Sequence, residues 1–260
     1  MKKGIVLILV IGLSFQYLNA QKRVQISDIE KREENGSTLI YSDGEKLNGD
    51  VYENYVSKKL QYSVKDGKKD GPYQLYYENG HLKRKAVFKN DKLNGFYQEY
   101  YENGQLKIST SFINGKYNGS LETYYQNGQL QGKGALINGE YDGILEKYYE
   151  NGQLKRMITF KYGVQNGPYD GYYENGQLRI RTTYIDGKKN GPTTQYYENG
   201  NLYVKTTYKE GLEDGLYEKY FENGQLEYSG NYKNGREIGV FVSYNENGQL
   251  KIKSSLAETK

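Results

Sequence analysis

Asn-Gly dipeptides recur in this chain every 24 residues without a slip, and this spacing constrains the fold more than any other feature. Their glycines are Gly80, Gly104, Gly128, Gly152, Gly176, Gly200, Gly224 and Gly248. Two further glycine columns keep the same step: one runs from Gly71 to Gly239, and one runs from Gly67 to Gly235 with Asp91 in place of one glycine. A fixed period of this length is typical of repeat proteins, in which each unit contacts its neighbours. The period assigns residues 47–255 to one degenerate unit, with Ser57-Lys58 in place of Asn-Gly, and eight regular units.

Each unit has the sequence pattern of a β-hairpin. In residues 95–112, two segments rich in Tyr, Ile, Thr and Phe flank Asn103-Gly104. Those residues favour strands, and Asn-Gly favours a two-residue type I′ turn. Helical spacing of apolar residues is absent. The sequence therefore predicts an all-β protein: an elongated, twisted antiparallel sheet of consecutive hairpin repeats, of the solenoid type.

The predicted turn also fixes the strand register and hence the two faces. The predicted pairs, in order from the turn, are Glu102–Gln105, Tyr101–Leu106, Tyr100–Lys107, Glu99–Ile108 and Tyr97–Thr110. Alternate pairs share a face. The face predicted to pack carries Tyr97, Tyr101, Leu106, Ile108 and Phe112.

The opposite face is polar, apart from one column that is tyrosine in all eight regular units. This column is Tyr76, Tyr100, Tyr124, Tyr148, Tyr172, Tyr196, Tyr220 and Tyr244. A row of half-exposed aromatic rings can stack on sugars or accept apolar side chains of a peptide. These tyrosines are therefore the candidate ligand- or partner-binding residues. The alternative is structural, with the rings covering the sheet as cross-strand pairs, and both roles can coexist.

The first twenty residues have the pattern of a secretory signal peptide. Lys2 and Lys3 precede an apolar run of 12 residues, Gly4 to Phe15, which is shorter than the roughly 20 residues of a membrane-spanning helix. Small Ala20 marks the cleavage site; an N-terminal membrane anchor is the alternative. Residues 21–46 are expected to cap the array, and 256–260 form a tail. The chain is thus expected to be periplasmic, on the outer surface or extracellular. Without cysteine it cannot be a lipoprotein.

Composition excludes several classes of active site. The chain has no Cys and one His, His81, so thiolate chemistry and multi-histidine metal sites are ruled out. A net charge of +4 does not indicate a nucleic-acid partner. The Glu-Asn-Gly glutamates offer one carboxylate per turn, whereas a calcium loop clusters several oxygens. His81 stands in a column that is mostly Gln, which favours an exposed variant over a catalytic base. The sequence predicts no enzyme, no cofactor and no metal.

The motif Tyr-Tyr-Glu-Asn-Gly-Gln-Leu, followed by an aromatic residue and Asn-Gly-Lys, resembles the MORN repeat. It is most similar to the bacterial variant of the form Tyr-Tyr-x-Asn-Gly-x-Leu, over about residues 47–255. The resemblance implies elongated antiparallel sheets that act as interaction modules. Phospholipid binding has been proposed for some members, and bacterial proteins of this variant are often labelled antitoxin-like. Eukaryotic units usually carry a Trp that this chain lacks, so no lipid-binding residue is carried over.

The expected function is that of a secreted, non-enzymatic scaffold that binds a protein in the periplasm or at the cell surface. One alternative is a module that binds envelope polysaccharide or phospholipid through the tyrosine ladder. A second alternative is a passive structural spacer. The sequence itself does not distinguish a protein partner from a glycan.

Overall fold

The computed structural model describes residues 22–55 and 58–256. The predicted signal peptide, Ser57 of the degenerate turn and residues 257–260 of the tail lie outside this range. Within it there are 25 strands and one 3₁₀ helix, Ile26–Asp28. The described residues include no helix long and apolar enough to cross a membrane. The strands are β1 Lys22–Gln25, β2 Glu30–Glu34, β3 Ser37–Ser42, β4 Glu45–Lys46, β5 Gly49–Tyr55, β6 Lys58–Lys65, β7 Lys68–Tyr76, β8 Leu82–Lys89, β9 Lys92–Tyr100, β10 Leu106–Ile113, β11 Lys116–Tyr124, β12 Leu130–Ile137, β13 Glu140–Tyr141, β14 Gly143–Tyr148, β15 Leu154–Lys161, β16 Val164–Tyr172, β17 Leu178–Ile185, β18 Lys188–Lys189, β19 Gly191–Tyr196, β20 Leu202–Lys209, β21 Leu212–Glu213, β22 Gly215–Tyr220, β23 Leu226–Lys233, β24 Arg236–Tyr244 and β25 Leu250–Leu256.

The long sheet is one open ribbon of consecutive antiparallel strands. From β5 to β25 each strand pairs with its neighbours along the chain, and β1 adds to β5 in parallel. The short strands β13, β18 and β21 are the first parts of strands that continue as β14, β19 and β22. The predicted fold class, an elongated antiparallel sheet of hairpin repeats, is confirmed.

The turn predicted for Asn103-Gly104 is wrong. The loop has three residues, Glu102 to Gly104: Gly104 N donates to Tyr101 O at 2.9 Å, and Tyr101 N donates to Gln105 O at 2.8 Å. Gly104 has φ +88°, whereas Asn103 is not among the residues with positive φ. This is a type I turn closed by a left-handed glycine. This turn is stabilised by a hydrogen bond in which Asn103 Oδ1 accepts from Gln105 N at 3.0 Å.

The longer loop shifts the register next to the turn. Tyr100 pairs with Leu106, Glu99 with Ile108 and Tyr97 with Thr110, which leaves Lys107 as a bulge. The last two of the predicted pairs are therefore confirmed. The three nearest the turn, Glu102–Gln105, Tyr101–Leu106 and Tyr100–Lys107, are wrong because they assumed a two-residue loop.

Type I′ turns occur at the opposite edge of the ribbon, where one hairpin leads to the next. Asn114 has φ +50° and Gly115 has φ +81°, and the flanking Ile113 and Lys116 are paired. Type I′ geometry needs positive φ at both central residues, and the right-handed twist of the flanking strands favours it. The same dipeptide thus forms two different turns in one unit.

The packing face is built on a central column in which all side chains but one, Ile158, are small. The column is Ala86, Thr110, Gly134, Ile158, Thr182, Thr206 and Gly230, and five of its side chains are 8% exposed or less. Aromatic rings cover it from both sides: the Phe112 ring lies 5.4 Å from Tyr97 and 4.3 Å from Tyr117, between centroids. The core is therefore one residue layer, spread along the ribbon.

Residues 22–46 pack against the first strands of the ribbon. Strands β2, β3 and β4 form a separate small sheet. Its junction with the ribbon buries a cluster of Val24, Ile40, Leu47, Val51, Tyr62 and Val64. Ile40 N donates to Gly67 O at 2.8 Å, and Gly67 N donates to Leu47 O at 3.0 Å. The division of the chain at residues 20, 46 and 255 stays a prediction.

Candidate functional site

The eight candidate tyrosines lie on one face of the ribbon, called here the ladder face. Each occupies the end of a strand, and residues two and four positions earlier share its face, as Phe96 and Gln98 do with Tyr100. All eight rings are half-buried. The structure thus brings the predicted column together; its role in binding stays a prediction.

Each ladder tyrosine is paired with a cross-strand leucine, and five of the eight also make a hydroxyl bond within their own strand. Its strand partner is a leucine, in the pairs Tyr76–Leu82, Tyr100–Leu106, Tyr124–Leu130, Tyr148–Leu154, Tyr172–Leu178, Tyr196–Leu202, Tyr220–Leu226 and Tyr244–Leu250. This pairing corrects the prediction that the leucines share the packing face with Ile108. The hydroxyl bonds back along its own strand: Tyr100 to Gln98 at 3.0 Å and Tyr124 to Glu122 at 2.7 Å.

Burial and neighbouring carboxylates raise the pKa of four ladder tyrosines, Tyr124, Tyr148, Tyr172 and Tyr220. The hydrogen bond to Glu122, reinforced by burial, raises the pKa of Tyr124 to about 12. Burial, together with the bond to Glu146, also raises the pKa of Tyr148. A ligand on this face therefore meets ring edges and carboxylate or amide oxygens rather than tyrosinate charge.

A second tyrosine column joins successive units. We call its members the clamp tyrosines: Tyr77, Tyr101, Tyr125, Tyr149, Tyr173 and Tyr197; Phe221 takes the seventh place without a hydroxyl. The hydroxyl of each clamp tyrosine donates to the backbone oxygen of the ladder tyrosine one unit later, at 2.8 or 2.9 Å. The sequence predicted these rings as packing residues, and hydroxyl bonding between units was missed. The Tyr-Tyr dipeptide is thus one ladder residue and one clamp residue.

The Asn-Gly turns also serve the junctions between units. Asn103 Nδ2 donates to Gln126 O of the next unit at 2.9 Å. His81 is exposed, and its Nδ1 lies 2.7 Å from Glu102 O, so it acts as a junction residue in the column that is mostly glutamine. Glu102 contributes its backbone oxygen there. Among the described residues no three His, Cys, Asp or Glu side chains come together in a group that could hold a metal ion.

The ladder face also carries an exposed apolar row that sequence reasoning missed. Its exposed large members are Phe96 (43%), Ile144 (51%), Leu216 (46%) and Val240 (51%). The full column is Pro72, Phe96, Ser120, Ile144, Pro168, Pro192, Leu216 and Val240. It holds every proline of the chain. A signal for this row was present in the sequence. The residue directly after each glycine of the Gly71 column is apolar or proline in seven of eight units. Strand alternation places this residue on the face that was predicted to be polar.

Comparison with known families identifies the repeat. Eight consecutive segments match the family described as MORN repeat variant, at residues 69–90, 93–114, 117–137, 141–162, 165–186, 189–210, 213–234 and 237–256. The chain belongs to this family. No curated protein matches it. MORN repeats are generally protein- or membrane-binding modules of a non-catalytic type.

Each matched MORN segment covers one hairpin of the ribbon. Residues 93–114, for example, begin in β9, pass through the three-residue turn and end in the type I′ turn after β10. This segment therefore carries one apolar-row residue, Phe96, one ladder tyrosine, Tyr100, and one clamp tyrosine, Tyr101. Repetition of the MORN unit sets these three features into parallel rows.

The buried tyrosines of the MORN array predict loss of stability at high pH. Burial raises the pKa of Tyr62 and of Tyr97 from 10.0 to about 12, and hydrogen bonding to Glu122 does the same for Tyr124. Between about pH 10 and pH 12 the unfolded chain loses protons that the folded chain retains, so the free energy of unfolding falls as pH rises. We expect a loss of about 1 kcal/mol per tyrosine after solvent screening.

Denaturant unfolding at a series of pH values measures this loss. Tyr62→Phe should reduce the slope between pH 10 and pH 12 because its folded-state pKa shift is removed. The exposed Tyr162 provides the control, since Tyr162→Phe should leave the slope unchanged. A wild-type stability that is flat over this pH range would contradict the expectation.

Proposed function

We propose that the chain is an exported, non-enzymatic scaffold that binds a protein partner on its ladder face, in the periplasm or at the cell surface. The exposed apolar row carries this proposal. Four side chains, Phe96, Ile144, Leu216 and Val240, are 43–51% exposed on the face that also carries eight half-buried tyrosines. Exposed apolar patches with aromatic residues and a polar border are typical of protein interfaces. Export rests on the pattern of residues 1–20.

The ladder face carries charges of both signs. The column between the apolar row and the tyrosines includes Glu122, Glu146, Asp170 and Glu218. Cations stand opposite this column, and Lys133 pairs with Glu146 and Arg181 with Asp170, each at 2.9 Å. A protein partner can match both the apolar row and these mixed charges.

Matched variants of residues 21–260 test the proposal. The face variant changes Phe96, Ile144, Leu216 and Val240 to Ser. The control variant changes Ile113, Ile137 and Ile185 to Ser; these are 48–52% exposed but lie at strand ends beside the type I′ turns. Each protein is used as immobilised bait for envelope and periplasmic fractions, with circular dichroism to verify folding. Wild type and control should retain one protein at a stoichiometric level that the face variant loses.

Three other outcomes of this experiment would argue against the proposal. Retention on purified polysaccharide or phospholipid vesicles without a stoichiometric protein would favour the envelope-binding alternative. Retention of nothing by any bait would favour a passive spacer. Equal loss with both variants would contradict a site centred on the apolar row.

A further inference from the structure

A polar depression lies on the ladder face where the ribbon begins. It has a volume of about 400 Å³ and is lined by Asp50, Gln61, Ser63, Asp70, Pro72 and Gln74 from strands β5, β6 and β7. Small-molecule sites usually have volumes of about 300–1,000 Å³. The depression is therefore large enough for a small ligand.

The lining departs from the repeat at two positions. Asp50 stands in the apolar row, where regular units have Pro72, Phe96 or Ile144. Gln61 stands in a column that carries cations in five of the eight later units, at Lys85, Lys133, Arg181, Lys205 and Lys253. In a repeat protein, recurrent residues report on the common fold, so residues that break the columns are candidates for a local task. Both departures put hydrogen-bonding groups into the depression.

The lining groups are held in place by the surrounding sheet. Ser63 is 8% exposed and donates to Asp50 Oδ1 at 2.6 Å. Asp70 Oδ2 accepts from Asn90 N at 3.3 Å. Tyr76, the first ladder tyrosine, donates to Gln74 Oε1 at 3.0 Å. This bond occupies the amide oxygen of Gln74 and presents Nε2 as a donor to a ligand.

Charge around the depression is close to balanced. Among the described residues that line it, Asp50 and Asp70 are the charged ones. Arg23 lies directly opposite Asp50 on β1, and Lys85 lies opposite Gln74 on β8. Two anionic groups are thus flanked by two cationic ones at the sheet positions beside them. Such a site offers little net attraction to a charged ligand and many groups that bond to hydroxyls.

We propose that this depression binds a neutral sugar unit of a glycan. Sugar hydroxyls both donate and accept, so they match carboxylates that accept and carboxamides that do both. Pro72 provides an apolar wall for the carbon face of the ring. The site lies at the start of the apolar row, with Pro72 common to both, and does not depend on the identity of the protein partner.

Calorimetric titration of residues 21–260 with three neutral trisaccharides, cellotriose, maltotriose and triacetylchitotriose, tests the proposal. Trigalacturonic acid and trilysine serve as charged comparators. At least one neutral trisaccharide should bind saturably, and neither comparator should. Gln61→Lys inserts the cation of later units into the depression and should weaken binding at least about tenfold, the loss of one good hydrogen bond. Asp50→Ile, the residue of the Ile144 position, should do the same.

Lys205→Gln is the matched control, because it makes the reverse change in the same column far from the depression. It should leave binding unchanged. The proposal is overturned if no neutral trisaccharide binds, if trilysine binds in their place, or if binding survives both Gln61→Lys and Asp50→Ile. Thermal unfolding of each variant verifies the fold, so that lost binding is not mistaken for lost structure.

Discussion

Replacing Tyr125, Tyr149 and Tyr173 together by phenylalanine is expected to lower the free energy of unfolding by about 3–4 kcal/mol. Each hydroxyl donates to a backbone oxygen of the next unit at 2.8 Å. Such a bond contributes about 0.5–1.5 kcal/mol, and its loss leaves a carbonyl without that donor. Repeat proteins gain stability from the interfaces between units, so three weakened junctions act on the whole array. The ring packing is retained, which confines the effect to the hydroxyl.

Denaturant unfolding with wild-type and single variants measures the effect. Tyr162→Phe is the control, because this tyrosine is 68% exposed and should contribute nothing. Phe221→Tyr restores the hydroxyl at the seventh position and should raise stability by about 1 kcal/mol. A triple variant within 1 kcal/mol of wild type would show that the clamp hydroxyls are replaced by water at no loss.

The sequence predicts some features of this fold and misses others. Period, strand content and hairpin connectivity follow from local patterns: glycine spacing, β-favouring residues and turn dipeptides. Turn type does not, since Asn103-Gly104 and Asn114-Gly115 are the same dipeptide in different turns. The turn at Asn103-Gly104 makes a contact that an isolated hairpin lacks: Asn103 Nδ2 donates to Gln126 O of the next unit. Local rules miss it because it exists only once units are stacked.

The candidate site was predicted in part for a related reason. The ladder tyrosines were found because the column is invariant, and the structure gives that invariance a structural basis in the leucine pairs of all eight units. The apolar row was missed because Pro72, Phe96, Ile144 and Leu216 share exposure rather than identity. Asp50 and Gln61 were missed because they lie in the degenerate unit. In a repeat chain, departures from the columns are as informative as the columns themselves.

Gly167→Ala is expected to destabilise the protein by about 4 kcal/mol, because it combines two separate costs. Gly167 has φ +124°, a conformation that strains any L side chain by about 1–3 kcal/mol. An added Cβ would also lie 2.9 Å from Cβ and Cγ2 of Thr159 on the neighbouring strand. Crowding of this kind adds about 1–3 kcal/mol. Here one residue of β15, Thr159, faces three residues of β16, so the chain bulges at the glycine.

Gly143→Ala separates the two costs. Gly143 occupies the same column one unit earlier with φ +98°, but an added Cβ meets nothing within 4 Å. This variant should therefore lose about 1–2 kcal/mol, from backbone strain alone. Denaturant unfolding of both variants gives the difference, which is the energy of the contact with Thr159. Equal losses would mean that β15 moves aside at no cost, and the glycine column would then be required for its positive φ and not for the close approach of neighbouring strands.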